Sequence, residues 1–182
     1  MKFEKTVTLK DGRSCVLRNA TAADAEEVCR TFRLTHSETD FLLSYPDEIT
    51  MEVEKEGAYL LSKEESDNEI EICAFIGGNI VGMAGITAVG GKYKTKHRSE
   101  FGISVEKAYW GLGIGRELAE ACIECAKIAG FEQLELDVVS DNAAAVNLYK
   151  SLGFVEYGRN PKGFRSRMTG WQELVLMLLP LK

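Results

Sequence analysis

The sequence predicts a single α/β domain in which strands and helices alternate along the chain. Its 182 residues are enough for one domain with a complete core. Apolar residues make up 45% and charged residues 27%, which is the range of soluble globular proteins. The hydrophobic period changes repeatedly between that of a helix and that of a strand. We therefore expect residues 1–182 to fold as one unit that packing alone can stabilise.

The first elements are predicted from turn and capping signals. Asp11-Gly12 is a two-residue turn signal between two short strand-like runs, which predicts a hairpin. Thr21, with Asp24 three positions later, forms a capping-box pattern, and the apolar residues that follow recur at helical spacing. After a loop, residues 47–56 read as a second, strongly acidic helix that ends before a polar stretch.

The later elements are mainly strands. Gly77-Gly78-Asn79 joins two apolar runs and predicts a second hairpin. A glycine-rich segment opens a helix that stops at Gly130, and Asn142 opens another. The apolar run 174–179 is long enough for a strand buried on both faces. The predicted order is strands 7–9 and 14–18, helices 22–35 and 47–56, strands 70–76, 80–89 and 98–105, helix 111–129, strand 134–139, helix 142–152, and strands 154–159 and 174–179.

Charge and hydropathy exclude several classes of protein. The chain has 22 Lys and Arg against 28 Asp and Glu, a formal net charge of −6, which weighs against nucleic acid as a partner. No apolar run approaches the ~20 residues that cross a bilayer, so we expect a soluble protein and no membrane partner. The N-terminus lacks the apolar block of a secretory signal, which favours the cytoplasm.

The five cysteines are predicted to be free, buried thiols. They are odd in number and lie in apolar periodic segments, unlike a disulfide framework. Cys122 and Cys125 spell C-x-x-C, but they fall on the apolar face of a helix without a second Cys or His pair. We therefore expect core packing and no metal site.

The segment WGLGIGR, from Trp110 to Arg116, carries the clearest functional signal. Glycines alternate with Leu112 and Ile114 where a helix begins, so bare backbone N–H groups meet a helix dipole that favours negative charge. No lysine follows Gly115, which excludes a P-loop, and the dinucleotide pattern G-x-G-x-x-G does not fit. The segment therefore predicts a phosphate site of another kind, with a plain glycine-rich turn as the alternative.

Two motifs in this order resemble the GNAT superfamily of acyl-CoA-dependent N-acetyltransferases. They are ISVEKAYWGLGIGREL, residues 103–118, and DVVSDNAAAVNLYKSLGF, residues 137–154. Trp110 departs from the family pattern, which has Gln or Arg there. The resemblance covers residues 70–179 well and the rest only in layout. It implies a single-domain fold with a central mixed, mostly antiparallel sheet of about seven strands, flanked by about four helices.

The resemblance also implies acetyl-CoA as co-substrate and assigns its contacts. The backbones of Ile103, Ser104 and Val105 would pair with the pantetheine arm, and an N–H on that strand would polarise the thioester carbonyl. The family's pyrophosphate site corresponds to Gly111, Leu112, Gly113, Ile114, Gly115 and Arg116. Asn142 matches a family residue near the pantetheine, although an Asn before three alanines is also an ordinary helix cap.

Tyr149 matches the family residue that donates a proton to the departing thiolate. Its alternative is an aromatic residue packed at helical spacing. Asp137 and Glu100 are both candidates for the general base, and each has the alternative of a solvated or ion-paired strand carboxylate. His36 and His97 are further options for a base, although an isolated His is more often a surface or loop residue.

The acceptor is expected to be a primary amine of a small molecule, polyamine, amino acid or peptide. In the family, the parts matching residues 34–55 and 160–171 flank the acceptor cleft. Acidic residues in the first of these parts either receive a cationic amine or form a solvated helix face; they are Asp40, Asp47, Glu48, Glu52 and Glu54. A non-catalytic domain that binds acetyl-CoA is the alternative function. Dimerisation through the last strands is common in such folds.

Overall fold

A computed structural model describes all residues, 1–182. Its regular elements are β1 (Glu4–Thr8), β2 (Ser14–Asn19), α1 (Ala25–Ser37), α2 (Val53–Glu65), β3 (Ile70–Ile76), β4 (Asn79–Ala88), β5 (Arg98–Val105), α3 (Ile114–Ile128), β6 (Gln133–Val139), α4 (Ala143–Ser151), β7 (Val155–Ser166) and β8 (Gly170–Pro180). The predicted elements are present with shifted ends, except that the second helix lies further along the chain than predicted. No helix is both long and apolar enough to cross a membrane.

All eight strands join one sheet in the order β1-β2-β3-β4-β5-β6-β8-β7. Neighbouring strands run antiparallel, except that β5 and β6 are parallel. This confirms the expected mixed, mostly antiparallel sheet with four flanking helices. The sheet has one strand more than the expected seven because the hairpin at Asp11-Gly12 adds β1 as an edge strand.

Helices cover both faces of the sheet, and each face has its own core. The larger core packs α3 and α4 against one face and includes Leu118, Cys122 and Tyr149. The smaller core packs α1 and α2 against the other face through Val28 and Leu60. All five cysteines are buried, as predicted, and the C-x-x-C pair lies within the larger core.

The sheet opens between β5 and β6. These strands pair only over Arg98–Glu100 and Gln133–Glu135, and then they separate. Strand β6 continues beside β8 as far as Val139, whereas β5 continues beside β4 only. The backbone edge of β5 from residue 101 to residue 105 therefore has no strand partner on the β6 side.

The second helix is the element whose position was predicted wrongly. It spans Val53–Glu65, whereas Pro46–Glu48 forms only a single 3-10 turn. The helix includes the first part of the polar stretch, as far as Glu65, because Leu60 enters the core and the buried Lys63 forms an ion pair with Glu69. At α1, Thr21 donates its N–H to the Asp24 carboxylate at 2.8 Å, which confirms the capping pattern.

Candidate functional site

A groove of about 860 Å³ lies where the sheet opens. The end of β5, the turn into α3 and the first turns of α4 line it. We call it the amide groove, because its most distinctive surface is a row of free backbone amides. Its lining includes most of the residues that the sequence predicts for the cofactor, from Ile103 to Tyr149.

The turn before α3 presents the free amides. Gly111 has φ 81° and Gly113, the N-cap of α3, has φ 98°, a region that side-chain-bearing residues rarely adopt. The N–H groups of residues 111–115 donate no hydrogen bond within the chain; the first that does belongs to Arg116. Five unpaired donors at a helix N-terminus form a site for an anion. Leu112 is not among the residues that line the groove, because its side chain packs against the core.

Two cationic side chains flank these amides. Arg116 donates to the Ser151 hydroxyl at 2.6 Å and to Glu120 at 3.4 Å, which holds it at the rim of the groove. Lys10 comes from the β1–β2 turn and donates its backbone N–H to the Leu112 carbonyl at 3.2 Å. Its ammonium forms no ion pair. No local sequence pattern indicates Lys10, because it is far along the chain from the turn beside which it lies.

Trp110, where the family has Gln or Arg, has a structural role. Its indole N–H donates to the Val105 carbonyl at 2.7 Å and ties the end of β5 to the turn. The ring also lines the amide groove and is half exposed. Trp110 therefore offers the groove a flat aromatic surface in place of a charged or amide side chain.

Strand β5 and helix α4 provide the opposite walls. Ile103, Ser104 and Val105 line the groove with the free strand edge. Asn142 accepts the Ala145 N–H at 3.2 Å and so caps α4, as one of its two interpretations requires. It also lines the groove, so its predicted contact with the pantetheine stays a prediction.

Tyr149 lies at the inner end of the groove. It is only 6% exposed and packs edge-on against Phe101, with ring centroids 6.1 Å apart. Its hydroxyl has no hydrogen-bond partner within the chain. Burial raises the pKa of this phenol, so it stays protonated at neutral pH and can donate. The structure thus places Tyr149 both in the packed core and on the groove.

A second cavity, of about 630 Å³, lies on the α1 and α2 side of the sheet. We call it the acidic cavity, because Glu56, Glu71 and Glu100 line it. It shares Leu42, Ile103 and Ser104 with the amide groove. The two spaces therefore meet at the open edge of β5, where Ser104 also accepts a hydrogen bond from Thr35 at 3.3 Å.

The side chain of Glu71 extends over Gly85 into the acidic cavity. It pairs with Gly85 in the sheet, and a Cβ on Gly85 would lie 2.3 Å from the carboxylate Oε2. The carboxylate accepts no hydrogen bond and forms no ion pair. Burial and the nearby Glu56 raise the pKa of Glu71 to about 7, and Lys63 opposes that shift only in part.

The two predicted bases lie on the same face of the sheet, with different surroundings. Glu100 is exposed and lines the acidic cavity. Asp137 is exposed and lines neither space, and burial with the neighbouring Glu135 raises its pKa. Glu135 itself forms an ion pair with Arg98, with 2.5 Å between Nε of Arg98 and Oε1 of Glu135. Of the two candidates, only Glu100 borders a cavity.

The acidic residues predicted to receive an amine lie elsewhere. Asp47 and Glu48 pair with Arg167, and Asp40 accepts from the Ser166 hydroxyl at 2.6 Å. These contacts join the α1–α2 loop to the β7–β8 turn, so the two segments expected around the acceptor cleft do meet. The carboxylates in the cavity are Glu56, Glu71 and Glu100 instead. An isolated Glu in the otherwise apolar run Ile70–Ile76 was the signal for Glu71.

The two histidines differ in position. His36 lines the acidic cavity, stacks on Phe32 and donates from Nδ1 to the Phe32 carbonyl at 2.7 Å. Burial lowers the pKa of His36, so its ring is neutral at pH 7. His97 lies outside both spaces. No three His, Cys, Asp or Glu side chains come close enough together to hold a metal ion.

A model of the Acetyltransferase (GNAT) family matches residues 31–154, well over half of the chain. The chain belongs to the GNAT family. A solved GNAT acetyltransferase from Streptococcus pneumoniae is 32% identical, with a TM-score of 0.87, and the match covers 91% of this chain and 99% of that one.

Two curated relatives of this GNAT chain are named for the amino group that they modify. An N-alpha-acetyltransferase of Sulfurisphaera tokodaii is 29% identical over 174 residues, 94% of this chain and 96% of the relative. N-alpha-acetyltransferase RimI of Mycobacterium tuberculosis is 38% identical over 89 residues, 49% of this chain. That match spans about half of the relative's length, 54%.

Proposed function

We propose that this protein transfers the acetyl group of acetyl-CoA to a primary amine. The observation that carries the proposal is the meeting of the amide groove with the acidic cavity at Ile103 and Ser104. One space suits an anionic, elongated cofactor, and the other suits a cationic amine. The reacting atoms would meet at the free edge of β5.

The amide groove fits coenzyme A by the chemistry of its donors. Five free N–H groups at residues 111–115, with Arg116 and Lys10 beside them, are suited to a pyrophosphate. The unpaired edge of β5 can form strand-like hydrogen bonds to the amides of the pantetheine arm. Asn142, at the start of α4, faces the same path.

The residues around the junction have distinct chemical roles in this proposal. An N–H on the β5 edge stabilises the oxyanion that forms when the amine attacks the thioester carbon. Tyr149 donates its phenolic proton to the departing thiolate, for which its free hydroxyl on the groove is suited. Glu100 and Asp137 remain the proposed bases, and the position of Glu100 on the cavity favours it over Asp137.

We infer that the amine belongs to a protein or peptide. The support is the naming of the two curated relatives for N-alpha acetylation. The homodimer implied by the family resemblance stays a prediction, and analytical ultracentrifugation would test it.

The decisive experiment is calorimetric titration with acetyl-CoA, followed by assays of free thiol release with peptides, amino acids, polyamines and aminoglycosides. We expect binding, and turnover with peptides that have a free N-terminus. Absence of acetyl-CoA binding would refute the proposal. Binding without turnover on every amine would identify the non-catalytic alternative.

A further inference from the structure

The acidic cavity contains two carboxylates without partners. Glu56 is only 8% exposed, and its side chain accepts no hydrogen bond and forms no ion pair. Glu71 also has none. Buried carboxylates are almost always paired, because removing a charge from water is costly. The buried, unpaired Glu56 beside the half-buried, unpaired Glu71 therefore indicates a cationic ligand.

The oxygens of Glu56 face open space. Every side-chain polar atom that is completely enclosed in this protein has a hydrogen-bond partner. Since the Glu56 carboxylate has none, its oxygens must be accessible, and the space they reach is the acidic cavity. A ligand in the cavity can contact them directly.

A row of glycines connects Glu71 with the free edge of β5. Glu71 pairs with Gly85 across β3 and β4, and Gly85 pairs with Gly102 across β4 and β5. With no side chain at either glycine, the Glu71 carboxylate lies over Gly85, about one strand spacing, ~4.8 Å, from β5. A group bound above Gly102 would touch this carboxylate and adjoin Ile103, where the two spaces meet.

The walls of the cavity are apolar. Phe32 and Met51 line it from the helical side, and Met83 lines it from the sheet. Such walls suit the carbon chain that carries a charged group and disfavour a polyhydroxylated amine. The occupant is therefore an ammonium next to an apolar group, such as the amino terminus of a peptide whose first side chain is apolar.

We propose that Glu56 and Glu71 form the ammonium site for the acceptor, and that Glu71, in place of the candidates Glu100 and Asp137 taken from the sequence, removes the proton that makes the amine nucleophilic. This inference rests on the proposed acetyl transfer and specifies its acceptor. It assigns Glu71, on β3, a role that the sequence motifs did not indicate.

The proton transfer balances without any further reactant. An N–H bond of the ammonium breaks and an O–H bond forms on Glu71, which leaves the neutral amine with its lone pair. The amine attacks the thioester carbon, and the C–S bond breaks as Tyr149 supplies a proton to sulfur. The new amide nitrogen then gives its excess proton to the Tyr149 phenolate, which becomes a phenol again. Glu71 releases the proton that it took from the ammonium to water at the mouth of the cavity.

The charged surroundings of Glu71 favour this role. Lys63 is the only cation near it, and Lys63 is already held by Glu69 at 2.6 Å and Thr87 at 2.9 Å. The remaining titratable groups near Glu71 are neutral or negative: Glu56 and Tyr59 of α2, Glu69 just before β3, Cys73 of β3, Glu100 of β5, His36 of α1, and Cys122 of α3 on the opposite face. A pKa near 7 makes Glu71 an effective proton acceptor at neutral pH.

The first test is calorimetric binding of n-hexylammonium chloride at pH 8, with and without coenzyme A. We expect Glu71→Gln and Glu56→Gln each to weaken binding at least tenfold. Glu54→Gln, an exposed position on the same helix, is the control and should leave binding unchanged. Equal binding to wild type and Glu71→Gln would overturn the proposal, as would equal binding of uncharged n-hexanol. Because this readout needs no acetyl transfer, it is independent of the acetyl-CoA titration.

A second test leaves the charges in place. Gly85→Ala would put a methyl group 2.3 Å from the Glu71 carboxylate and displace it, so hexylammonium affinity should fall as in Glu71→Gln. Gly91→Ala, where an added Cβ meets nothing, is the control for both folding and binding. An unchanged affinity of Gly85→Ala for hexylammonium would contradict the position of the Glu71 carboxylate over Gly85.

The role of Glu71 as proton acceptor has its own readout. Infrared difference spectroscopy of wild type against Glu71→Gln can follow protonation of this carboxyl group with pH. We expect a midpoint near pH 7 that falls when hexylammonium binds. An ordinary carboxyl midpoint that hexylammonium does not move would overturn this role.

Discussion

The amide groove and the acidic cavity meet at Ile103 and Ser104, but they are built in opposite ways. The groove offers backbone donors from one continuous turn at residues 111–115 and a free strand edge. The cavity offers side chains from five separate elements, α1, α2, β3, β4 and β5. The affinity of a backbone site depends little on the neighbouring side chains. A substitution in a side-chain site, by contrast, directly alters the groups that contact the ligand.

The two regions also differ in what they cost the fold. Most of the free amides border the open groove, where water can satisfy them in the absence of a ligand. The unpaired carboxylates of the cavity are partly removed from water and unfavourable when charged. The empty groove therefore lowers the folding stability of the protein only a little. The empty cavity lowers it more, and its charged side chains select the ligand. Four substitutions test this contrast.

The largest effect is expected at the junction. Tyr149→Phe should lower kcat about 100-fold, the range for loss of a general acid, and leave the affinity for acetyl-CoA unchanged. The hydroxyl has no partner in the chain, so its removal leaves no unsatisfied group. Stopped-flow thiol release and calorimetry measure the two quantities, with exposed Tyr93→Phe as the control. An unchanged kcat would mean that the thiolate departs without help from this phenol.

The next largest effect is the loss of folding stability that the unpaired charge of Glu71 causes. The pKa of Glu71 is raised from 4.5 to about 7 on folding, so its favourable contribution is complete below pH 4.5 and is lost as the pH rises through 7. Glu71→Gln should therefore be more stable than wild type at pH 8 by about 2 kcal/mol, allowing for solvent screening. The difference should disappear below pH 4. Urea unfolding at both pH values measures it, and a difference that is independent of pH would contradict the account.

A smaller effect is expected when the backbone of the groove is strained. Gly113→Ala and Gly78→Ala each force a residue with φ near +90° to carry a Cβ, at a cost of about 1 kcal/mol in stability. Only Gly113→Ala should also weaken acetyl-CoA binding, about tenfold, because Gly78 lies in the distant β3–β4 turn. Equal loss of affinity in both variants would show that the effect is general destabilisation.

The smallest effect is expected at the one side chain that reaches the groove from far along the sequence. Lys10→Met keeps the aliphatic packing against Gly113 and removes the charge, so acetyl-CoA affinity should fall about threefold at low salt. Lys5→Met removes a lysine that pairs with Glu117 outside the groove and should change affinity little. If the two variants behave alike across a salt titration, Lys10 has no specific contact with the phosphates.

Sequence reasoning found the groove and missed much of the cavity, for an identifiable reason. Gly111, Gly113 and Tyr149 belong to continuous motifs whose geometry is local, so their spacing alone predicted where they lie. Glu56 was predicted as the end of an acidic helix, yet the helix continues to Glu65 and buries it. Glu71 appeared as one charged residue in an apolar strand, and only its register with Gly85 directs it into the cavity.

The sequence by itself determined the alternation of strands and helices, the hairpins at Asp11-Gly12 and Gly77-Gly78, and the glycine-rich start of α3. These features depend on turns, caps and periodicity within a few residues, which local physics decides. The tertiary structure alone decided the opening between β5 and β6, the approach of Lys10 to the turn, and the assembly of the acidic cavity. Each of these brings together residues far apart in the chain, and only the packing of helices on both faces of the sheet places them.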